Sequence, residues 1–280
     1  VMVSALLTGA LLGHLSWRWV LALEGALPFL WLPVWWFVIR DHPREAGWIS
    51  PAEKEHLETT LRQEHAAQET PQSRAVWQTF VQPVVLLLVA IDFLHNCLAY
   101  GTMAFFTATL EGRGFTAWQN GVLFAFPYTF TAVLMILVSR HSDRTNERRM
   151  HVAITYALGG ACLILSVVCR GHFWLSYAFL CLSIPTPSVA LAPYWSLVSE
   201  ILPISARGAT MGLINAVGNV GGFLGPFIAG WLKEESGSIN LSFEVLGLGI
   251  LFAAALCFLL PKAKPLGEDL PRTRILGHAT

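Results

Sequence analysis

The stretch AVWQTFVQPVVLLLVAIDFLHNCLAYGTMAFFTATL, residues 75–110, decides the reading of this chain. It is too apolar for a surface helix, and its oily middle, residues 82–103, is long enough to cross a bilayer. Close to the centre stands Asp92, followed by His95, Asn96 and Tyr100. A carboxylate at mid-membrane costs about 2.5–3.5 kcal/mol on insertion scales, so Asp92 is expected to face a partner or a wet cavity. Positions 92, 96 and 100 recur every four residues and His95 adds the i+3 neighbour, which lines all four along one side of a helix. One face should meet lipid or core, and the other a lumen.

The rest of the chain has the same character. Of 280 residues, 54% are hydrophobic and 13% charged, about half the charged share of an ordinary soluble domain. The formal net charge of zero gives no reason to expect nucleic acid. Cys97, Cys162, Cys169, Cys181 and Cys257 all lie in apolar runs without C-x-x-C spacing, so they read as small buried hydrophobes. Metal-ligand spacing, G-x-S-x-G and Walker A sequences are all missing, and the glycines of 208–225 lack the strand–helix setting of a dinucleotide site. No enzyme, cofactor or metal is expected.

Apolar segments follow one another at 19–39, 82–103, 114–139, 150–169, 173–199, 208–232 and 241–260, seven full spans. Residues 1–13 read as the tail of an eighth whose beginning is missing. Pro127 predicts a kink, and Pro185, Pro187 and Pro193 predict a bent or locally unwound span, tolerable where protein or a cavity surrounds it. Gly159 and Gly160 should let helices approach closely, and Gly221, Gly222, Gly225 and Pro226 should serve packing and bending. Between the spans, Ser50, Pro51 and Glu53 place an N-cap, a first-turn proline and a capping-box carboxylate before a charged helix over 54–64.

Orientation follows from Lys and Arg. With the loop 40–74 placed in the cytoplasm, that side holds fourteen basic residues and the other holds four, namely Arg18, Arg113, Arg170 and Lys233. The C-terminal tail then lies inside as well. Asn240-Leu241-Ser242 is a glycosylation sequon in an outer turn too near the membrane for modification to be expected.

Three groups are candidates for function. Asn96 and Tyr100 would hydrogen-bond a small polar solute, while Asp92 or His95 changes protonation during a transport cycle. The alternative is a structural network joining helices. Asn215 and Asn219, four apart between glycines, would hold a carboxylate or hydroxyl, or else glue helices together. Asp143, Arg144, Arg148 and Arg149 form a charged hinge on the cytoplasmic side. A solvated loop accounts for the arginines, whereas an ionic latch between helix ends, a cytoplasmic gate, accounts for Asp143 as well.

Four stretches carry a family likeness. Trp17-Arg18-Trp19 with Glu24-Gly25, Trp48-Ile49-Ser50-Pro51-Ala52-Glu53, Ser142-Asp143-Arg144 with Arg148-Arg149, and Asn219-Val220-Gly221-Gly222-Phe223-Leu224-Gly225-Pro226 resemble motifs of the major facilitator superfamily. Within it they are most similar to the anion:cation symporter branch of organic-anion carriers. The resemblance implies an all-α integral membrane protein with two six-helix bundles that rock about a central substrate. Residues 1–39 would then be the last part of the N-terminal transmembrane bundle, lacking the first four helices. Residues 40–75 would be a cytoplasmic linker with a short amphipathic helix, 76–261 the C-terminal six-helix bundle, and 262–280 a disordered cytoplasmic tail. Asn96 and Tyr100 match the family's polar pattern in its seventh helix. Two departures stand out: Phe105-Phe106-Thr107 replaces the usual W-L-P ending of that helix, and the hinge glycine is replaced near Asn146-Glu147.

The expected activity is secondary transport of a small organic anion, such as a sugar acid or dicarboxylate, coupled to protons through alternating access. The expected partners are that anion, a proton and the lipid bilayer of a plasma or bacterial inner membrane, with the full-length protein a monomer. The alternative is a scaffold or sensor built on a carrier fold, or an inactive fragment.

Overall fold

The computed structural model describes residues 2–67, 73–110, 114–203 and 206–261. The connection at 68–72, most of the turn at 111–113 and the tail expected over 262–280 lie outside the described residues. Within them the chain is an all-α membrane protein with seven helices long and apolar enough to cross a bilayer.

The amino-terminal part comprises α1 (Met2–Leu11), α2 (Trp17–Ala26), a 3-10 turn (Leu27–Trp31) and α3 (Leu32–Val38). The last three run on as one span, Trp17–Val38, in which Pro28 and Pro33 set the change of helix type. Of its residues only Val20 is buried. Thr8 on α1 donates a hydrogen bond to Glu24, which satisfies the carboxylate inside this span. The capping signal at Ser50 holds: the Glu53 amide donates to Ser50 Oγ at 3.2 Å, and α4 (Pro51–Ala67) follows.

The stretch quoted at the start divides in two. Helix α5 (Ser73–Phe80) ends before Pro83, where α6 (Pro83–Leu110) begins, so α5 straddles the boundary expected at 75/76. Next come α7 (Ala117–Thr145) and α8 (Arg148–Val168). Residues 140–145 are therefore the last turns of a helix, and the break between these spans is confined to Asn146 and Glu147. Asn146 adopts φ 51°, the left-handed C-cap conformation. That explains how the glycine of the resembled motif is dispensed with, since asparagine tolerates this region.

The proline-rich span is broken, as its sequence predicts, into α9 (Phe173–Ser183) and α10 (Thr186–Ile201). Pro127 acts differently. Helix α7 continues through it, and the carbonyl of Leu123, which loses its usual i+4 amide donor, accepts from Tyr177 Oη of α9 at 2.8 Å. Helices α11 (Arg207–Ser236) and α12 (Ile239–Cys257) complete the chain. The sequon lies inside α12, where Ser242 is buried and donates to Ala229 O at 2.6 Å.

Small residues set which helices touch. A Cβ built on Gly225 would lie 2.7 Å from Cys97 Cα, and one on Gly221 would lie 3.0 Å from the Phe93 carbonyl carbon, so α11 meets α6 backbone to backbone. Gly160 plays the same part between α8 and α12, 2.7 Å from the Gly247 carbonyl by the same measure. Gly9 brings α1 against α7 at Gly121. The bundle core around α6, α8, α10 and α12 contains Leu88, Ile91, Tyr156, Leu163, Tyr194 and Ile250, all essentially without solvent exposure. Tyr194 Oη donates to Leu88 O at 2.8 Å, so its hydroxyl does not enter that core unpaired.

Candidate functional site

A cavity of about 300 Å³ opens between α6, α7 and the break separating α9 from α10. His95, Asn96 and Tyr100 line it from α6, Tyr128 from α7, and Ser183 and Ser188 from either side of the break. The helix is interrupted where it borders the cavity, and Ser183 and Thr186 donate to the Gly159 and Ser183 carbonyls at 2.8 and 2.6 Å.

The four polar residues of α6 divide by depth. Asp92 is 2% exposed and His95 7%, whereas Tyr100 is 48% exposed. Asn96 Nδ2 donates to Asp92 O at 2.9 Å and to Asp92 Oδ2 at 3.2 Å, so what the Asn96 side chain offers the cavity is its carbonyl oxygen. Asp92 lies beneath that layer, pressed on Gly218 of α11: a Cβ there would be 2.7 Å from its carboxyl carbon. Tyr100 lies over Gly222, where a Cβ would come within 2.9 Å of its ring. The glycine pattern of α11 is thus the complement of the polar pattern of α6.

His95 reaches the opposite way. Its Nδ1 lies 3.0 Å from Tyr156 Oη on α8, and Tyr156 is fully buried. A buried phenol without an acceptor carries a desolvation cost, so the phenol donates and Nδ1 accepts, which leaves the ring hydrogen on Nε2. His95 therefore borders the cavity as a neutral hydrogen-bond donor held by a second helix.

Asn215 and Asn219 are not in this cavity. They lie exposed on α11 and bond each other, Asn219 Nδ2 donating to Asn215 O at 2.7 Å and to Asn215 Oδ1 at 3.1 Å. The charged cluster is also only partly assembled. Arg148, buried at the start of α8, pairs with Asp143 at the end of α7, donates from Nη1 to Ser142 Oγ at 3.3 Å, and donates from Nε to Glu200 Oε1 on α10 at 3.3 Å. Arg149 instead caps the Leu260 carbonyl at 2.9 Å, and Arg144 is exposed.

Sequence reasoning missed Tyr128, Ser183, Ser188 and Glu200. The serines flank the proline pair and Tyr128 follows Pro127, so each adjoins a predicted disruption. Glu200 ends the proline-rich span on the side that the count of basic residues already assigned to Asp143 and Arg148.

Comparison with known proteins gives a consistent result. The model of the Major Facilitator Superfamily matches residues 1–226. A putative tartrate transporter of Agrobacterium vitis is 29% identical over 91% of this chain and 56% of its own length. A quinolone resistance transporter of Acinetobacter baumannii is 29% identical over 92% of this chain and 61% of its own length. A putative metabolite transport protein of Pseudomonas putida, NicT, is 22% identical over 91% and 60% respectively. The chain thus spans little more than half the length of these relatives. With seven oily helices and a family match over residues 1–226, the chain belongs to the Major Facilitator Superfamily.

Proposed function

We propose that this chain takes part in secondary active transport of a small organic anion, with its α6 cavity serving as part of the substrate path. The observation that carries this reading is the convergence of His95, Asn96, Tyr100, Tyr128, Ser183 and Ser188 on one cavity inside an oily bundle. His95 and the phenols supply donors to a carboxylate or hydroxyl, and Asn96 supplies an acceptor. Asn219 and Asn215, one and two turns before the glycine beneath Tyr100, lie outside this cavity, and we assign them to the substrate path along the exposed face of α11. A tartrate transporter among the relatives favours a hydroxylated carboxylate.

Proton coupling is assigned to Asp92 with His95 as its neighbour on the helix. A buried carboxylate whose hydrogen-bond partner is an amide gains or loses a proton without breaking an ion pair. At the other end of the bundle, Arg148 with Asp143 and Glu200 acts as the gate, joined when that side is closed and separated when it opens. Arg144 and Arg149 belong to the same charged end, which we place in the cytoplasm together with the carboxyl terminus; the membrane is the cell membrane and the working protein is a monomer.

Uptake of labelled tartrate and other organic acids into cells producing the full product of the encoding gene tests this. Saturable uptake that falls when the proton gradient is collapsed is the expected result. The absence of saturable uptake of any organic acid, at normal membrane abundance, would overturn it in favour of a scaffold.

A further inference from the structure

A second cavity, of about 270 Å³, lies at the end of the bundle opposite the Asp143–Arg148 turn, among α6, α8, α9 and α12. Its hydroxyl groups share one property. Thr109 Oγ1 donates to Phe106 O at 2.6 Å, Ser166 Oγ to Leu163 O at 2.6 Å, Ser176 Oγ to Ser166 O at 2.7 Å and Tyr177 Oη to Leu123 O at 2.8 Å. A hydroxyl has one hydrogen and two lone pairs. All four hydrogens are committed to backbone carbonyls, so towards any ligand these groups can only accept.

The donors are of another kind. Arg170, in the turn after α8, and Asn240, in the first turn of α12, line the same cavity. Helices α9 and α12 both begin beside it, which adds their positive ends. Among the described residues no carboxylate lines it. An anion alone would satisfy Arg170 and leave four acceptor oxygens facing negative charge, whereas a cation alone would meet the arginine.

We propose that this cavity binds a zwitterion in which a primary ammonium and a phosphate are joined by a short carbon chain. The ammonium donates its N–H groups to the hydroxyl oxygens, and the phosphate takes Arg170 and Asn240. Two sources supply this chemistry at a membrane surface, the ethanolamine headgroup of a phospholipid and free phosphoethanolamine. The site stands apart from the transport reading and uses none of its residues.

The test measures binding of three phospholipids, with ethanolamine, choline and glycerol headgroups, to the full chain in detergent, with free phosphoethanolamine as competitor. The choline headgroup keeps the phosphate and the positive charge but has no N–H, and the glycerol headgroup has donors but no positive charge. Ethanolamine lipid is expected to bind about tenfold more tightly than either, the worth of one charge-assisted hydrogen bond. Arg170→Gln should lower that affinity about tenfold. If that variant does not accumulate, Asn240→Ala reads the same loss. Competition by phosphoethanolamine would support the site with a soluble ligand, and lack of competition would support it with a lipid. Equal binding of the three lipids, or unchanged binding in the variants, would overturn the proposal.

Discussion

Two pairs of side chains, Asp92 with Asn96 on α6 and Asn215 with Asn219 on α11, make the same two hydrogen bonds at the same i, i+4 spacing. In each, the later asparagine donates to the carbonyl of the earlier residue, at 2.9 and 2.7 Å, and to its side-chain oxygen, at 3.2 and 3.1 Å. Their surroundings differ. Asp92 is buried against a glycine of the neighbouring helix, whereas both residues of the α11 pair are exposed. Local spacing therefore fixes the motif, and packing decides its consequence. A buried carboxylate with an amide partner is a stressed group whose protonation matters to its neighbours, while an exposed amide pair is a surface that can bind or do nothing.

The most damaging way to test the contrast is to fill the glycine beneath Asp92. Gly218→Leu drives a side chain into the Asp92 carboxylate and the Asn96 amide, where overpacking costs about 1–3 kcal/mol or more. Loss of accumulation, or a clearly lowered thermal midpoint in detergent, is expected. Gly212→Leu, at a position with open space beside it, should leave the midpoint near that of the parent. Equal effects would mean that the α6–α11 contact is not what holds Asp92.

A chemical version changes only the charge. Asp92→Asn should reduce uptake about tenfold and abolish its dependence on the proton gradient, while membrane abundance is kept. Asn215→Ala should leave the gradient dependence intact. If Asp92→Asn keeps gradient-driven uptake, the coupling role assigned to the buried pair is lost.

Tyr156→Phe acts on the buried side alone, leaving His95 Nδ1 without its donor at a cost of about 1–3 kcal/mol. The thermal midpoint should fall, and uptake of a carboxylate should weaken because Nε2 no longer holds the hydrogen by necessity. An unchanged midpoint would show that this bond is replaced by water. The smallest effect is expected from Asn219→Ala: an unchanged midpoint with a two- to fivefold rise in KM, about 0.4–1 kcal/mol of binding. An unchanged KM would remove the α11 pair from the substrate path.

The spans themselves were legible because their signal is local: an unbroken run of apolar residues between charged ends. So was the break in the fifth full span, where Pro185 and Pro187 withhold amide hydrogens. The charged hinge was read too broadly, since residues 140–145 stay helical and Asn146 alone takes the left-handed turn. Of the cavity, the α6 face was visible as a four-residue repeat. Tyr128, Ser183 and Ser188 were not, because a single tyrosine or serine in an apolar run carries no period that distinguishes lumen from core.

By itself the sequence determined which segments are helices in lipid and which side chains share a face, both consequences of backbone hydrogen bonding and residue spacing. Only the tertiary structure decided that α11 turns its glycines, and not its asparagines, towards α6, and that Arg148 reaches Glu200 across 52 positions. Those outcomes depend on how closely two backbones can approach, which is a property of the pair of helices and is written in neither one alone.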